Sequence, residues 1–158
     1  MLSVEMIRTM TAYNYACHRA LWNSIMTLTD EVFATEIPYS HGSIRNHMVH
    51  LANVDRGWLR GLKEDPNART GRANPADYTT RASVRELCEA AAADVTAFVG
   101  GLDEATLQYQ ARGLPMTTWQ VLLHLVNHGT DHRAQVLRAL HDFGATTFDQ
   151  DLLFFIGG

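Results

Sequence analysis

The chain has 158 residues, which suits one domain of ordinary size. Apolar residues make up 46% and charged residues 19%, a globular rather than a disordered composition. A net charge of −4 without any block of Lys and Arg argues against nucleic-acid binding. No apolar run approaches the roughly 18 residues that span a bilayer, and the N-terminus lacks the pattern of a signal peptide. Two cysteines do not make a disulfide framework, so we expect an intracellular, cytoplasmic protein.

Hydrophobic periodicity predicts four long amphipathic helices and therefore an all-α, four-helix bundle. The helices are predicted over residues 3–28, 43–62, 83–101 and 117–143. Ser83 and Glu86 have capping-box spacing at the start of the third helix, as Thr117 and Gln120 do at the start of the fourth.

The connections predict how the helices are arranged. Residues 64–80 are rich in Pro, Gly, Asn and Asp and form a long loop, which lets the chain cross over and favours up-down-down-up order. Leu107, Tyr109 and Ala111 alternate as in a short strand or extended arm. The apolar tail, residues 148–158, predicts a short helix or strap that covers one end of the bundle.

Eight histidines are many for this length, and three of them share one helix face. His124, His128 and His132 are spaced i, i+4, i+8. Two imidazoles at i and i+4 can bind one metal ion, but the outer pair of three lie about 12 Å apart along a straight helix. A third ligand must come from elsewhere, and the second helix offers His47 and His50. Periodicity separates neither 124/128 from 128/132 nor His47 from His50.

The other polar residues in this pattern have plainer interpretations. An isolated histidine on a helix is usually a surface or hydrogen-bonded residue, so we interpret His18, His41 and His141 as surface or cap residues. Asn14 interrupts the apolar stripe of the first helix, which indicates a buried hydrogen bond.

Two segments resemble the DinB/YfiT-like superfamily. They are GSIRNHMVHLANVDRGWL at residues 42–59 and WQVLLHLVNHGTDHRAQV at residues 119–136. With the Tyr13-Asn14 pair and the Asp-x-x-Leu-Leu tail at 149–153, the resemblance extends over nearly the whole chain. It implies one DinB-like domain over 1–158, an up-down-down-up four-helix bundle and a three-histidine metal site.

The resemblance also implies which histidines bind the metal. The motif positions of the ligands are occupied by His50, His128 and His132, and His124 matches a position beside the site. Asp131 stands where a further histidine is common in the family. The remaining departures from the pattern are Ala134, where glycine is common, and the additional His47.

Four polar residues are predicted to support this site. Three are expected to orient the imidazoles: Asp55, Asn127 and Gln135. Arg133 follows a ligand directly, and we expect it either to bind a substrate carboxylate or to form a salt bridge between helices, with Asp131 or Asp55 as partner.

Three imidazoles leave positions open on the ion, which is typical of a catalytic site, and this ligand set suits Zn²⁺ and Ni²⁺. Proteins of the superfamily include bacillithiol- and mycothiol-dependent S-transferases and a mycothiol-dependent maleylpyruvate isomerase. We therefore expect a metal-dependent S-transferase-like or detoxification enzyme that uses a low-molecular-weight thiol on a small-molecule substrate. The alternatives are a metal-dependent hydrolase and a non-catalytic metal-binding stress or scaffold protein.

Other kinds of site are disfavoured by the sequence. A ferritin-like di-iron centre needs Glu three residues before its histidines, and these lack it. Cys17 and Cys88 lie on apolar stripes and are interpreted as core residues. Trp22, Trp58 and the LLFFI segment at 152–156 are candidates for a homodimer face, although each could complete the monomer core.

Overall fold

The computed structural model describes residues 2–68 and 70–157 and has the predicted all-α, four-helix architecture. The long helices are α1 (Val4–Ile25), α3 (Ile44–Leu62), α4 (Arg81–Gly100) and α6 (Thr118–Asp142). Three short helices accompany them: α2 (Asp30–Ala34), α5 (Glu104–Gln108) and α7 (Leu152–Ile156). Met1, Arg69 and Gly158, which the predicted domain includes, lie outside the described residues.

The caps of the last two long helices test the predicted helix starts. At α6 the capping box is present, because the Thr117 backbone N–H donates to Gln120 Oε1 at 2.9 Å. At α4 the prediction is wrong. The cap is Thr80, whose Oγ1 accepts from the Ser83 N–H at 3.1 Å. Both residues carry a hydroxyl suited to capping, and the chain uses the earlier one, which adds nearly one turn to the helix.

Two apolar clusters at opposite ends of the bundle establish the direction of each helix. One combines the C-terminal halves of α1 and α6 with the N-terminal halves of α3 and α4, and includes Leu21, Leu140, Ile44 and Val84. The other combines the opposite halves, and includes Ile7, Val121, Leu62 and Val99. Hence α1 and α6 run one way and α3 and α4 the other, which confirms up-down-down-up order. Helix α6 packs between α1 and α3, and it is antiparallel to α3.

The long crossover between α3 and α4 is fastened to α3 by one side chain. Asn53 Nδ2 donates to the Ala73 carbonyl at 2.8 Å, and the Ala73 N–H donates to Asn53 Oδ1 at 2.8 Å. The Asn53 amide thus satisfies both the N–H and the carbonyl of Ala73, as a backbone partner would, and it holds the loop against α3.

The predicted strand or extended arm at residues 107–111 begins instead with the end of the helix α5, and the chain becomes extended only at Tyr109. Asp103 caps this helix by accepting from the Thr106 N–H at 2.7 Å, and Leu107 is fully buried in the core. Alternation over three apolar residues does not distinguish a strand from one short helical turn followed by extended chain.

The C-terminal tail forms the predicted short helix but lies along the bundle rather than over its end. Leu152 packs against a third apolar cluster of Tyr13, Cys17 and Val126, halfway along α1 and α6. The tail is fixed there because the Tyr13 hydroxyl donates to the Gln150 carbonyl at 2.5 Å.

The apolar residues predicted to form a dimer face differ in how exposed they are. Trp22, predicted as part of a dimer face, is only 3% exposed and packs against Phe33 inside the bundle. By contrast, Leu153, Phe154 and Ile156 of α7 are exposed. Within residues 2–68 and 70–157, none of the helices has the length and apolar character that crossing a membrane requires.

Candidate metal centre

Side chains of α3 and α6 meet across the groove between these antiparallel helices at three successive levels. At one outer level His47 Nε2 lies 3.1 Å from Gln135 Oε1, and His47 Nδ1–H donates to the Ser43 carbonyl at 2.8 Å. At the other outer level Trp58 and His124 meet edge to face, with ring centroids 5.3 Å apart. Both ring nitrogens of His47 therefore lie within hydrogen-bonding distance of protein oxygen atoms.

The middle level brings together the three histidines that the family resemblance implies. His50 Nε2 from α3 lies 3.1 Å from His128 Nε2 of α6. The His132 ring is centred 4.8 Å from that of His50 and 4.3 Å from that of His128. Nitrogens bound to one tetrahedral ion at about 2.1 Å lie about 3.4 Å apart, so the His50–His128 pair already has nearly the spacing of two ligands.

A fourth histidine, His41, joins this cluster from the loop that precedes α3. Its ring stacks on that of His50 with centroids 3.9 Å apart and planes at 25°, and it lies 5.0 Å from the His132 ring. One ring nitrogen each of His41, His50 and His132 can be chosen so that all three lie within 4.8 Å of one another. His41 does lie beside the α3 cap, as interpreted from the sequence, but it is not isolated. The sequence feature that pointed to this location is that His41 lies two residues before Ser43, the N-cap of α3.

The environment keeps the clustered imidazoles neutral. Burial and, to a smaller extent, the neighbouring histidines lower the pKa of His50 to about 3 and that of His128 to about 4. Burial also lowers the pKa of His132 and of His41. A neutral imidazole has a lone pair for a metal ion, whereas an imidazolium has none.

Hydrogen bonding leaves two of these rings incomplete. Among the described residues, Nδ1 of His128 and Nδ1 of His132 are buried without a hydrogen-bond partner. Buried polar atoms are normally paired, so a cluster of neutral imidazoles with unpaired nitrogens is unusual for a structural core. The residues present fit a divalent metal ion, which would take up their lone pairs.

The residues predicted to orient the three imidazoles mostly contact other groups. The Tyr15 hydroxyl donates to Asp55 Oδ2 at 3.0 Å, and Asn127 is exposed. Gln135 does orient an imidazole, as predicted, but that of His47. Burial raises the pKa of Asp55, and although the Tyr15 bond and the charge of Arg133 oppose this, the pKa is about 7.

Arg133 lies on the opposite face of α6 from the histidines and is fully buried. It donates to Asn14 Oδ1 at 2.5 Å, to Gln150 Oε1 at 3.0 Å and to Thr130 Oγ1 at 3.1 Å. The expected salt bridge or substrate contact is therefore wrong, since the guanidinium bonds to neutral groups inside the bundle. The buried hydrogen bond predicted for Asn14 is confirmed.

A cleft of about 730 Å³ lies farther along α3. Its lining includes Trp58, Arg72 and Arg112, and none of the histidines. Trp58 therefore stands between this cleft and His124, at the edge of the histidine row.

The comparisons with known proteins agree with this architecture. The DinB family model matches residues 1–157. The chain belongs to the DinB family. A crystal structure of a DinB-like protein from Bacillus cereus superimposes with a TM-score of 0.64 at 20% identity, covering 83% of this chain and 88% of that one. At this identity the similarity to the DinB-like protein concerns the fold. A comparison with curated proteins finds no match.

Proposed function

We propose that this DinB-family protein binds one divalent metal ion, Zn²⁺ or Ni²⁺, through His50, His128 and His132. The observation that carries the proposal is the 3.1 Å approach of His50 Nε2 to His128 Nε2 across two antiparallel helices. Neutral rings and the buried, unpartnered Nδ1 of His132 support it. Three imidazole ligands leave at least one position for a substrate.

We further propose that the site serves transfer of a low-molecular-weight thiol to an electrophilic small molecule. A divalent ion, when bound, keeps a coordinated thiol deprotonated at neutral pH. His50 and His128 are only partly buried, so the site is accessible from solvent. Within the described chain no carboxylate hydrogen-bonds to the three rings, and Asp55 is engaged by Tyr15. This favours thiol transfer over hydrolysis, because a thiolate attacks without a general base.

The metal proposal is tested on protein without a polyhistidine tag, by elemental mass spectrometry. We expect about one equivalent of divalent metal in the wild type, and its loss in His50→Ala, His128→Ala and His132→Ala. His141→Ala is the matched control, since His141 is exposed at the end of α6 outside the cluster. A wild type that neither carries metal nor takes up added Zn²⁺ or Ni²⁺ contradicts the proposal.

The reaction is tested by following the loss of free thiol. Bacillithiol, mycothiol, glutathione and cysteine are each mixed with monobromobimane and with 1-chloro-2,4-dinitrobenzene. We expect the metal-loaded protein to accelerate at least one pair, and chelation or His50→Ala to abolish the acceleration. Metal-loaded protein that accelerates none of them supports the alternative, a non-catalytic metal-binding protein.

We also propose that the chain forms a homodimer through α7. Four apolar side chains there are exposed, and covering them stabilises an interface: Leu153, Phe154, Phe155 and Ile156. Analytical ultracentrifugation is expected to give about twice the 17.7 kDa of one chain, and Phe154→Ser to shift the protein toward monomer. A wild type that remains monomeric at high micromolar concentration contradicts the dimer.

A further inference from the structure

We propose that His41 is a fourth ligand of the metal ion, supplied by a loop and not by the helices. The inference rests on the proposed function and extends it. The three ligands implied by the family resemblance all project from α3 and α6, whereas His41 belongs to the connection between α2 and α3.

The first support is the position of the His41 ring. A nitrogen of His41 lies within 4.8 Å of ligand nitrogens of both His50 and His132. Its ring stacks on His50 at 3.9 Å and tilts over His132 at 5.0 Å. His128 Nε2 lies 3.1 Å from His50 Nε2, so the proposed site would have four imidazoles, the number of ligands that a tetrahedral ion takes.

The second support is the way the loop is held. Ser40 and Gly42 flank His41 with φ values of 49° and 80°, in the left-handed region that a serine rarely adopts. Asn46 Nδ2 donates to the His41 carbonyl at 2.9 Å, and the Ile37 N–H donates to the Gly42 carbonyl at 2.8 Å. A non-glycine residue keeps such a conformation only where its surroundings impose it. The tight turn therefore holds the imidazole over the cluster.

The consequence concerns access to the site. Four imidazole ligands make a closed site, whereas three leave a position for a substrate. His50, His128 and His132 project from packed helices, whereas His41 projects from a short loop, so His41 is the ligand whose displacement would disturb the helix packing least. An incoming thiol therefore competes with His41 alone, and the bundle stays intact.

The experiment uses Co²⁺, whose visible absorption reports coordination number. His41→Ala and His41→Phe are compared with the wild type and with the control His141→Ala. We expect both His41 variants to bind one equivalent, with at least about tenfold weaker affinity in competition with a chelator. We also expect their spectra to move from the four-nitrogen form to one with a coordinated water, and His141→Ala to match the wild type.

The two variants separate ligation from packing. Phenylalanine keeps a ring that stacks on His50 but has no lone pair, so His41→Phe must lose affinity as His41→Ala does. Thermal unfolding of the metal-free variants is expected to match that of the wild type, which establishes that both fold.

The outcomes distinguish this inference from the proposed function. If His50→Ala abolishes binding while both His41 variants keep wild-type affinity and spectrum, His41 is not a ligand and the three-histidine site stands. If His41→Phe alone behaves as wild type, the ring acts by packing and the inference is overturned. If the wild type binds no metal, both proposals fail.

Discussion

His132 and Arg133 are adjacent in α6, but they contact different neighbouring helices and differ in how far their hydrogen bonds are satisfied. Arg133 points toward α1, where Asn14, Thr130 and Gln150 accept its N–H groups. His132 points toward α3, and its buried Nδ1 has no partner among the described residues. One helix thus separates a completed polar network from an incomplete one.

The difference indicates what each face is for. A buried polar group that the protein satisfies fully contributes to stability, and removing its partners is costly. A group left unsatisfied destabilises the fold unless a ligand completes it. The Arg133 network therefore joins α1, α6 and the tail, whereas the histidine cluster is arranged for binding. The predictions below test this separation of stability from binding.

The largest effect is expected for Arg133→Ala. The substitution empties a fully buried volume and leaves Asn14 Oδ1 without its donor, so the free energy of unfolding should fall by about 3–4 kcal/mol. Arg138→Ala is the control, because its ion pair with Asp142 is exposed and should cost about 0.5 kcal/mol or less. Urea denaturation measures both. A loss under about 1 kcal/mol for Arg133→Ala would show that this network is not structural.

Gly129→Ala is expected to disturb the same network and to lower the free energy of unfolding by about 2 kcal/mol. A Cβ at this position would lie 2.5 Å from Asn14 Oδ1 and 2.8 Å from Arg133 Nη1, so the buried pair would have to move. The matched control is Gly57→Ala in α3, whose Cβ would meet nothing within 4 Å and which should stabilise the helix by up to about 1 kcal/mol. Equal effects of the two variants would contradict close packing at the Arg133 network.

Asp55→Asn is expected to change how stability depends on pH. Burial raises the Asp55 pKa to about 7 in the folded protein, whereas an unfolded aspartate releases its proton near pH 4. The folded state therefore binds more protons between these values, and the Asp55 contribution to the free energy of unfolding falls as pH rises from about 4 to about 7. Asparagine does not titrate, so the free energy of unfolding of the variant should rise relative to that of the wild type as the pH increases from about 4 to about 8, as followed by urea denaturation. If the free energy of unfolding depends on pH in the same way in both proteins, the raised pKa of Asp55 is contradicted.

The smallest effect on stability is expected for metal-free His128→Ala. Its ring is only partly buried and its Nδ1 has no bond to lose, so the free energy of unfolding should change by no more than about 0.5 kcal/mol. The same substitution is expected to abolish metal binding. Urea denaturation in the presence of a chelator checks the first statement, and a cost above about 2 kcal/mol would make the cluster a structural element.

Much of the fold follows from the sequence because periodicity and loop length are local properties. The four apolar stripes predict the long helices, and the length of 64–80 predicts the crossover. The short helices α2 and α5 escaped prediction, because five residues are too few for a helical period and Phe33 and Leu107 become fully buried only through tertiary packing.

The site was predictable to the extent that it lies on helices. Spacing placed His128 and His132 on one face, and the family resemblance selected His50 over His47. The structure gives a physical reason for that choice, since both nitrogens of His47 are engaged. His41 could not be found in this way, because its position depends on the left-handed turn at Ser40 and Gly42 and on no repeating pattern.

The up-down-down-up order also has a kinetic consequence. In a bundle of sequential hairpins, each long helix packs on the next one in the chain. Here α1 packs mainly on α6, the last long helix, and runs parallel to it. The Arg133 network joins residue 14 to residues 133 and 150, so it cannot form until nearly the whole chain is present. Such distant pairing slows folding relative to a bundle of sequential hairpins. We therefore expect a slower refolding phase than in hairpin bundles of equal length, and we expect a fragment ending before α6 to remain unfolded.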